Sequence, residues 1–279
     1  MLGGDDPGPL ADVPKELPRG GRELLPHYRV VSFYGAPQDE ELGVLGIGQA
    51  RQVARRLLRQ ARPYGRPHRP VMPAFELIAT LVHGAPGPDG KYRQRQKAAV
   101  VRRYLRAVRR IKGLLILDVQ PGQSDFLEEV KALEPYLKQP DVGLALDSEW
   151  SVPKGTIPGQ AIGSTDAETI NAVSAYVSEI VRRERLPQKL LLVHQFTEGM
   201  VKDRKLVSQR PGLAIAFNVD GFGPRELKIG IYRRLAVRRP MRRAGFFNGL
   251  KLFFHEDTNL LRPGGVLALR PRPDVVVYE

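Results

Sequence analysis

Val142-Gly-Leu-Ala-Leu-Asp-Ser-Glu-Trp150 is a short apolar run that ends in two acids and an aromatic residue. A continuous run of this kind reads as a parallel strand buried on both faces. Seven more runs share its design: Tyr28–Tyr34, Val71–Ile78, Leu114–Leu117, Lys189–Val193, Leu213–Phe217, Phe247–Phe254 and Asp274–Tyr278. Most end at, or just before, a polar residue. Eight such strands alternating with helical segments predict a single-domain α/β fold, the (β/α)8 TIM barrel, and the 279 residues suit one barrel of about 250. In that fold the active site lies at the C-terminal strand ends, where the polar residues recur. The expected domain is 27–279. Residues 1–26, rich in Gly and Pro and without periodicity, read as a tail or linker, or as cover for the barrel bottom. With the eighth strand at the end of the sequence, the last helix is expected to be reduced or absent.

Between the strands, helices are expected over Val44–Gln60, Tyr92–Lys112, Asp125–Leu137 behind a Ser124 cap, the segment to Arg185 behind a Thr165/Glu168 capping box, and a shorter one near Gly199–Ser208. Gly43-Val-Leu-Gly-Ile-Gly48 is a glycine cluster at a helix start with no Walker lysine after it, so it does not read as a nucleotide loop.

Composition narrows the chemistry. The chain has no cysteine, which removes disulfides, thiolate nucleophiles and Cys-ligated metal centres. No apolar stretch approaches the roughly 20 residues of a membrane span. Residues 1–26 show no basic start followed by a long apolar core, so no signal peptide is visible. Lys and Arg number 44 against 30 Asp and Glu, a net charge of +14 that favours acidic partners, including an anionic cell-wall polymer. The arginines concentrate in helical segments (Arg51–Arg62, Arg102–Lys112, Arg182–Arg185, Arg233–Arg243), which in a barrel form the outer ring. No zinc finger, RNA-binding aromatic signature or basic region with heptads is present, so no specific nucleic-acid partner is expected.

The candidate site follows from the strand ends. Asp147 and Glu149 are two residues apart, so an extended chain points both into the barrel mouth, where one ionised acid raises the pKa of the other. In the competing structural reading, both acids hold the following loop by accepting its N–H groups. Asp118 and Gln120 end the third run, and Glu76 sits inside the second, where an unpaired acid is costly. His194 and Gln195 follow the fifth run, and Asn218 and Asp220 the sixth. Trp150, Tyr34 and Tyr278 are candidates for stacking on a ligand. Lys251, on the seventh run, is the one lysine placed for Schiff-base chemistry. A metal reading would draw on His194, His255, Asp118, Asp147, Glu149 and Asp220. No His-x-His follows the first strand and no paired-His spacing occurs, so neither a metal nor a cofactor is assigned.

Val142–Trp150 resembles the fourth-strand motif of chitinase-type glycoside hydrolases. The resemblance implies that Glu149 is the general acid and that Asp147 orients a substrate acetamido group. Val142 and Ala145 stand where that family has further acids, and Ser148 where it has an aromatic residue. In position, the chain is also similar to retaining β-glycosidases with glutamates after strands four and seven. That likeness implies Glu149 as acid/base and Glu256 as nucleophile, about 5–5.5 Å apart. Past residue 27 the chain resembles a group of uncharacterised actinobacterial barrel proteins, often exported, in the stretches Leu117-Asp-Val-Gln120, Val193-His-Gln-Phe-Thr197 and Arg270–Tyr278. This implies a barrel and an extracytoplasmic or cell-envelope location, with the cytoplasm left open. The expected function is a glycoside hydrolase-like barrel acting on a cell-wall or other β-linked glycan. The alternatives are a non-catalytic envelope protein that binds glycan or anionic polymer, and a metal-dependent hydrolase or phosphodiesterase.

Overall fold

The computed structural model describes residues 15–279. Eight parallel strands form a closed barrel: β1 Arg29–Gly35, β2 Val71–Val82, β3 Leu114–Val119, β4 Val142–Asp147, β5 Lys189–Gln195, β6 Leu213–Val219, β7 Phe247–Leu252 and β8 Val275–Tyr278. Each pairs with its sequence neighbours, and β8 returns to β1 through Val30↔Val275 to Phe33↔Tyr278. All eight expected strands are present; β2 runs on to Val82, while β7 ends at Leu252, two residues earlier than expected. Around them lie α1 Ala50–Ala61, α2 Ala98–Arg109, α3 Phe126–Ala132, α4 Glu134–Leu137, α5 Ala167–Glu184, α6 Arg225–Leu235 and α7 Pro263–Ala268. No helix is long and apolar enough to cross a membrane among the described residues.

Strand alternation divides the core in two. Outward residues such as Phe33, Phe75, Leu117, Leu144, Val193, Phe217 and Leu250 pack under the helices, while Val30, Met72, Ala74, Ile116, Ala145, Leu192, Ala216 and Val277 fill the barrel. Leu17, Leu24 and Leu25 join the inner cluster, so residues 15–26 plug the barrel bottom instead of trailing from it. The Gln188 side-chain carbonyl accepts the N–H groups of Leu24 and Leu25 and fixes that plug. The tail reading of residues 1–14 lies outside the described residues.

Several connections differ from expectation for local reasons. The expected helix over Tyr92–Lys112 begins at Ala98, because Arg93–Arg95 pairs antiparallel with Thr80–Val82 as an extension of β2. Val44–Gly46 forms a 3-10 turn before α1, so the Val44–Gln60 helix starts late. Asp125, not Ser124, caps α3 by accepting the Glu128 N–H; the Ser124 hydroxyl donates to Glu129. Asp166, not Thr165, caps α5 by accepting the Thr169 N–H. The Gly199–Ser208 segment contains two 3-10 turns and the short strand Val201–Lys202, with no α-helix. Gly199 and the left-handed Asp203 (φ 51°) break its pattern.

Ring closure at the bottom depends on Asp274, just before β8. Its carboxylate accepts from Arg69 at 2.8 Å, Arg242 at 2.6 Å and the Asn248 N–H at 3.0 Å. One buried acid thus ties β8 to β7 and to the approach to β2. Replacing Asp274 with Ala leaves these donors without their acceptor and should cost about 2 kcal/mol of stability, read by urea denaturation. A loss below about 0.5 kcal/mol, the level of an ordinary surface change, would contradict this account of closure.

Candidate functional site at the barrel mouth

Inward alternation decides which side chains meet at the C-terminal end. Along β1 the inward residues are Val30, Ser32 and Tyr34; along β2 they include Glu76 and Ile78; the inward series of β3 and β4 end at Asp118 and Asp147. Beyond these, β5 contributes His194, β6 Asn218 and then Asp220, β7 Lys251, and the residue after β8 is Glu279. The strand registers place them side by side: Tyr34↔Glu76, Asp147↔His194 and His194↔Asn218 are paired positions. The result is a polar ring above an apolar barrel interior. Gly249, next to Asn218 in register, is part of the design: a Cβ there would lie 2.1 Å from Asn218 Oδ1.

The centre of the ring is His194. Nε2 lies 2.7 Å from Glu76 Oε1, and Nδ1 lies 2.8 Å from Asp220 Oδ2. Burial alone would lower its pKa, but the charges of Asp220 and Glu76 and their hydrogen bonds outweigh it and hold the value well above the usual histidine range. His194 is therefore an imidazolium donating to two carboxylates. Asn218 Nδ2 donates to the other oxygen of Asp220 at 2.7 Å. Next to this triad, Tyr34 donates to Asp118 at 3.3 Å, and Gln120 Nε2 donates to the Tyr34 hydroxyl at 3.0 Å and approaches Asp147 at 3.5 Å. Burial, then the neighbouring Asp147, raises the Asp118 pKa well above its ordinary value; burial also raises Asp147, against the pull of His194 and Lys251. Opposite them, Lys251 pairs with Glu279 at 2.6 Å and places its ammonium 3.5 Å from the Tyr34 ring centroid. Burial opposes its charge, but Glu279, Asp220 and Asp147 keep its pKa above the ordinary lysine value.

Above the ring opens a cavity of about 480 Å³ lined by Tyr34, Gln120, Asp147, Glu149, Trp150, Asp220, Lys251, Glu256 and Glu279, with Phe196, Phe222 and Phe253 adding aromatic wall. Glu149 lies in a 3-10 turn, Ser148–Trp150, just past β4. Strand alternation thus ends at Asp147, and the turn, not an extended chain, brings Glu149 into the cavity. Burial first, then the charges of Asp147 and Asp220, push its pKa up to about 7. The long loop after β4 is anchored by the Glu149 backbone: the Gly163 N–H donates to the Glu149 carbonyl at 2.6 Å. A Cβ on Gly163 would meet that carbonyl at 2.4 Å. No hydrogen bond engages the Glu149 carboxyl among the described residues, so the loop is not held by that carboxyl and its proton is available to a ligand.

The expected residues thus fall into three groups. Tyr34, Gln120, Asp147, Glu149, Trp150, Asp220 and Glu256 line the cavity; Glu76, Asp118, His194 and Asn218 form its buried floor. Glu256 sits at the rim and is exposed, unlike the buried Asp147 and Asp220. Tyr278 and Gln195 do not face the mouth. Tyr278 is outward by alternation and meets Tyr64, Phe33 and Phe254 under the helices; Gln195 accepts from Arg204 on the outer side. Lys251, expected on the seventh run, is a ring member beside Glu279, which reading whole strand ends did not select. Counting alternate residues from Val275 and Gly249 finds both.

Glu76, Asp118 and His194 each offer a ligand-type atom within 4.8 Å of the others, the one grouping of this kind among the described residues. Glu76 Oε2 and Asp118 Oδ1 have no hydrogen-bond partner. Both His194 nitrogens face carboxylates at hydrogen-bond distance, so a cation here would have to displace the proton that His194 shares with Glu76 or Asp220. As arranged, the three form a proton-holding floor. No protein-family model matches the chain, and no curated protein matches it, so the functional reading rests on this geometry.

A raised histidine pKa stabilises the fold fully below the ordinary value of about 6.5, and that contribution is lost as pH rises towards the raised value. The His194 ring should therefore still carry both protons at a pH just above the ordinary histidine value, where a free imidazole is mostly neutral. Nitrogen-detected NMR of the imidazole reads this directly, and a neutral ring at that pH would refute the imidazolium assignment.

Proposed function

We propose that the protein is a glycoside hydrolase-like barrel in which Glu149 protonates the oxygen of a leaving sugar. The observation that carries the reading is a carboxyl with a pKa near 7, free of hydrogen bonds, in the mouth of a TIM barrel beside a second acid. A general acid works best when its pKa lies near the working pH. Glu149 keeps its proton there because it is buried and Asp147 is its neighbour. Six carboxyls (Glu76, Asp118, Asp147, Glu149, Asp220, Glu279) gather around two cationic side chains, His194 and Lys251. Such an excess suits glycosidic cleavage, whose transition state develops positive charge on the sugar ring. Trp150, Phe222 and Phe253 supply the apolar faces on which sugar rings stack. The substrate class is a cell-wall or other β-linked glycan, in keeping with an envelope location.

Asp147 has two roles in this scheme: it raises the Glu149 pKa, and it faces the cavity where a substrate acetamido group would sit. Where the reaction uses a second enzyme carboxyl, Glu256 is the candidate nucleophile, free at the rim. Asp220, fixed by His194 and Asn218, serves as a stationary negative charge beneath the sugar.

Glu149→Gln should lower turnover of aryl glycosides or cell-wall glycans by about 10²–10⁴-fold with the fold intact. Turnover of every responsive glycan that survives this change would remove Glu149 as the acid. The acid must hold its proton to act, so wild-type kcat/KM should be high below pH 7 and fall as pH rises through about 7. In Asp147→Asn the main neighbouring negative charge is gone, so the same limb should move to lower pH. A limb that stays in place would show that Asp147 does not tune Glu149. Glu256→Gln separates the two mechanisms: loss comparable to Glu149→Gln marks two-carboxylate catalysis, and near-normal turnover marks assistance by the substrate.

A further inference from the structure

The positive charge of the chain is not spread around the barrel. Between residues 50 and 112 the sequence has 17 Lys and Arg but only two acids, Glu76 and Asp89. Glu76 is inside the barrel and Asp89 is paired with Arg93. This one sector has a net charge of +15, more than the +14 of the whole chain, so the other 216 residues sum to about zero. The helices α1 and α2 contain no acidic residue at all and pack side by side. In contrast, the arginines of α5 are paired: Arg182 with Glu179, and Arg183 with Glu184 and Glu134.

Between α1 and α2 runs a groove of about 530 Å³, lined by Arg51, Arg103, Arg106 and Arg110 with the backbone of Gly46 and Gly48. None of these four arginines is paired with a carboxylate among the described residues, and all four are exposed. Unpaired arginines that converge on one groove repel each other, and an arrangement of this kind is relieved by a multivalent anion. Guanidinium forks match phosphate oxygens in pairs.

We propose that this groove binds a polyol-phosphate chain, read through its phosphates and held along α1 and α2. The groove's form and lining select this occupant. Arg103, Arg106 and Arg110 follow one another at spacings of three and four residues along α2, with Arg51 facing them from α1, so the charges are arranged along a line that suits a chain. The groove's one aromatic residue, Tyr104, is buried under Arg103, so no ring is available to stack on nucleobases. The inference is independent of the glycosidase reading, since the groove lies on the helical flank and shares no lining residue with the mouth cavity.

The test is titration of the full chain with a fluorescent glycerol-phosphate oligomer at low and high salt. Binding should weaken steeply with salt, as counterion release requires. The triple variant Arg51→Gln, Arg106→Gln, Arg110→Gln should lose affinity on the order of tenfold and show a flatter salt dependence. A control with the same change in charge, Arg182→Gln, Arg183→Gln, Arg233→Gln, should retain it. All six positions are exposed, so both variants should fold. No binding by the full chain, or equal loss in the two variants, would overturn the proposal. Tighter binding to a single-stranded oligonucleotide of equal charge, or to vesicles doped with phosphatidylglycerol, would also overturn it and reassign the groove to nucleic acid or membrane.

Discussion

An imidazolium clamped between two carboxylates sets the electrostatics of this barrel mouth. His194 on β5 reaches Glu76 on β2 through one nitrogen and Asp220 past β6 through the other, all three well removed from solvent. An isolated buried charge of any of these types is strongly unfavourable, so each requires the others. The triad also spans the barrel interior, from β2 to β6, where apolar side chains would otherwise meet. Removing one member would strand a charge in a low-dielectric centre, so the arrangement specifies geometry more than it adds stability. The remaining acids adjust to it. Two cationic side chains do not balance six carboxyls, and burial then favours protons on Asp118 and Glu149.

That proton distribution links fold to chemistry. Asp118 is in the buried floor, where its Oδ2 accepts from Tyr34, which in turn accepts from Gln120. Glu149 is outside these hydrogen bonds, and its carboxyl faces the space a ligand would occupy. Asp118 and Glu149 therefore differ in access: Asp118 is in the floor, whereas Glu149 lines the cavity with no hydrogen bond on its carboxyl. The loop after β4 reinforces the difference: it uses the Glu149 carbonyl as its anchor and leaves the carboxyl unengaged.

The barrel was legible in the sequence because a parallel strand buried on both faces leaves a continuous apolar run, and eight such runs have few other folds to form. Much of the mouth was legible for a related reason: an acid, amide or histidine at the end of such a run is anomalous unless it faces a site. Reading whole strand ends without strict alternation, however, selects Tyr278 and Gln195, which point outward, and passes over Glu279, one position past Tyr278. Glu149 was found through its resemblance and spacing, yet the turn at Ser148–Trp150 that delivers it has no extended-chain geometry. The cap at Asp125 and the turns near Gly199 depend on which of several adjacent polar residues wins a backbone N–H. That choice is made by tertiary contacts such as the Ser124–Glu129 hydrogen bond.

The two charged regions of the molecule also constrain each other. A mouth with an excess of carboxyls repels phosphate, so a phosphorylated polymer cannot enter it charge-first. A flank of unpaired arginines attracts the same polymer without offering any group that cleaves it. If one chain engages both regions, the phosphates must lie along α1 and α2 while an uncharged sugar unit turns into the mouth at the C-terminal strand ends. The sequence order is compatible with this: Gly46 and Gly48, which line the groove, follow Leu42, which lines the mouth cavity, within a few residues. The segment after β1 is therefore the bridge between an arginine-lined flank and an acid-bearing mouth. Charge separation of this kind would orient a mixed polymer before any bond is broken, since only one alignment puts both of its chemistries against their complements.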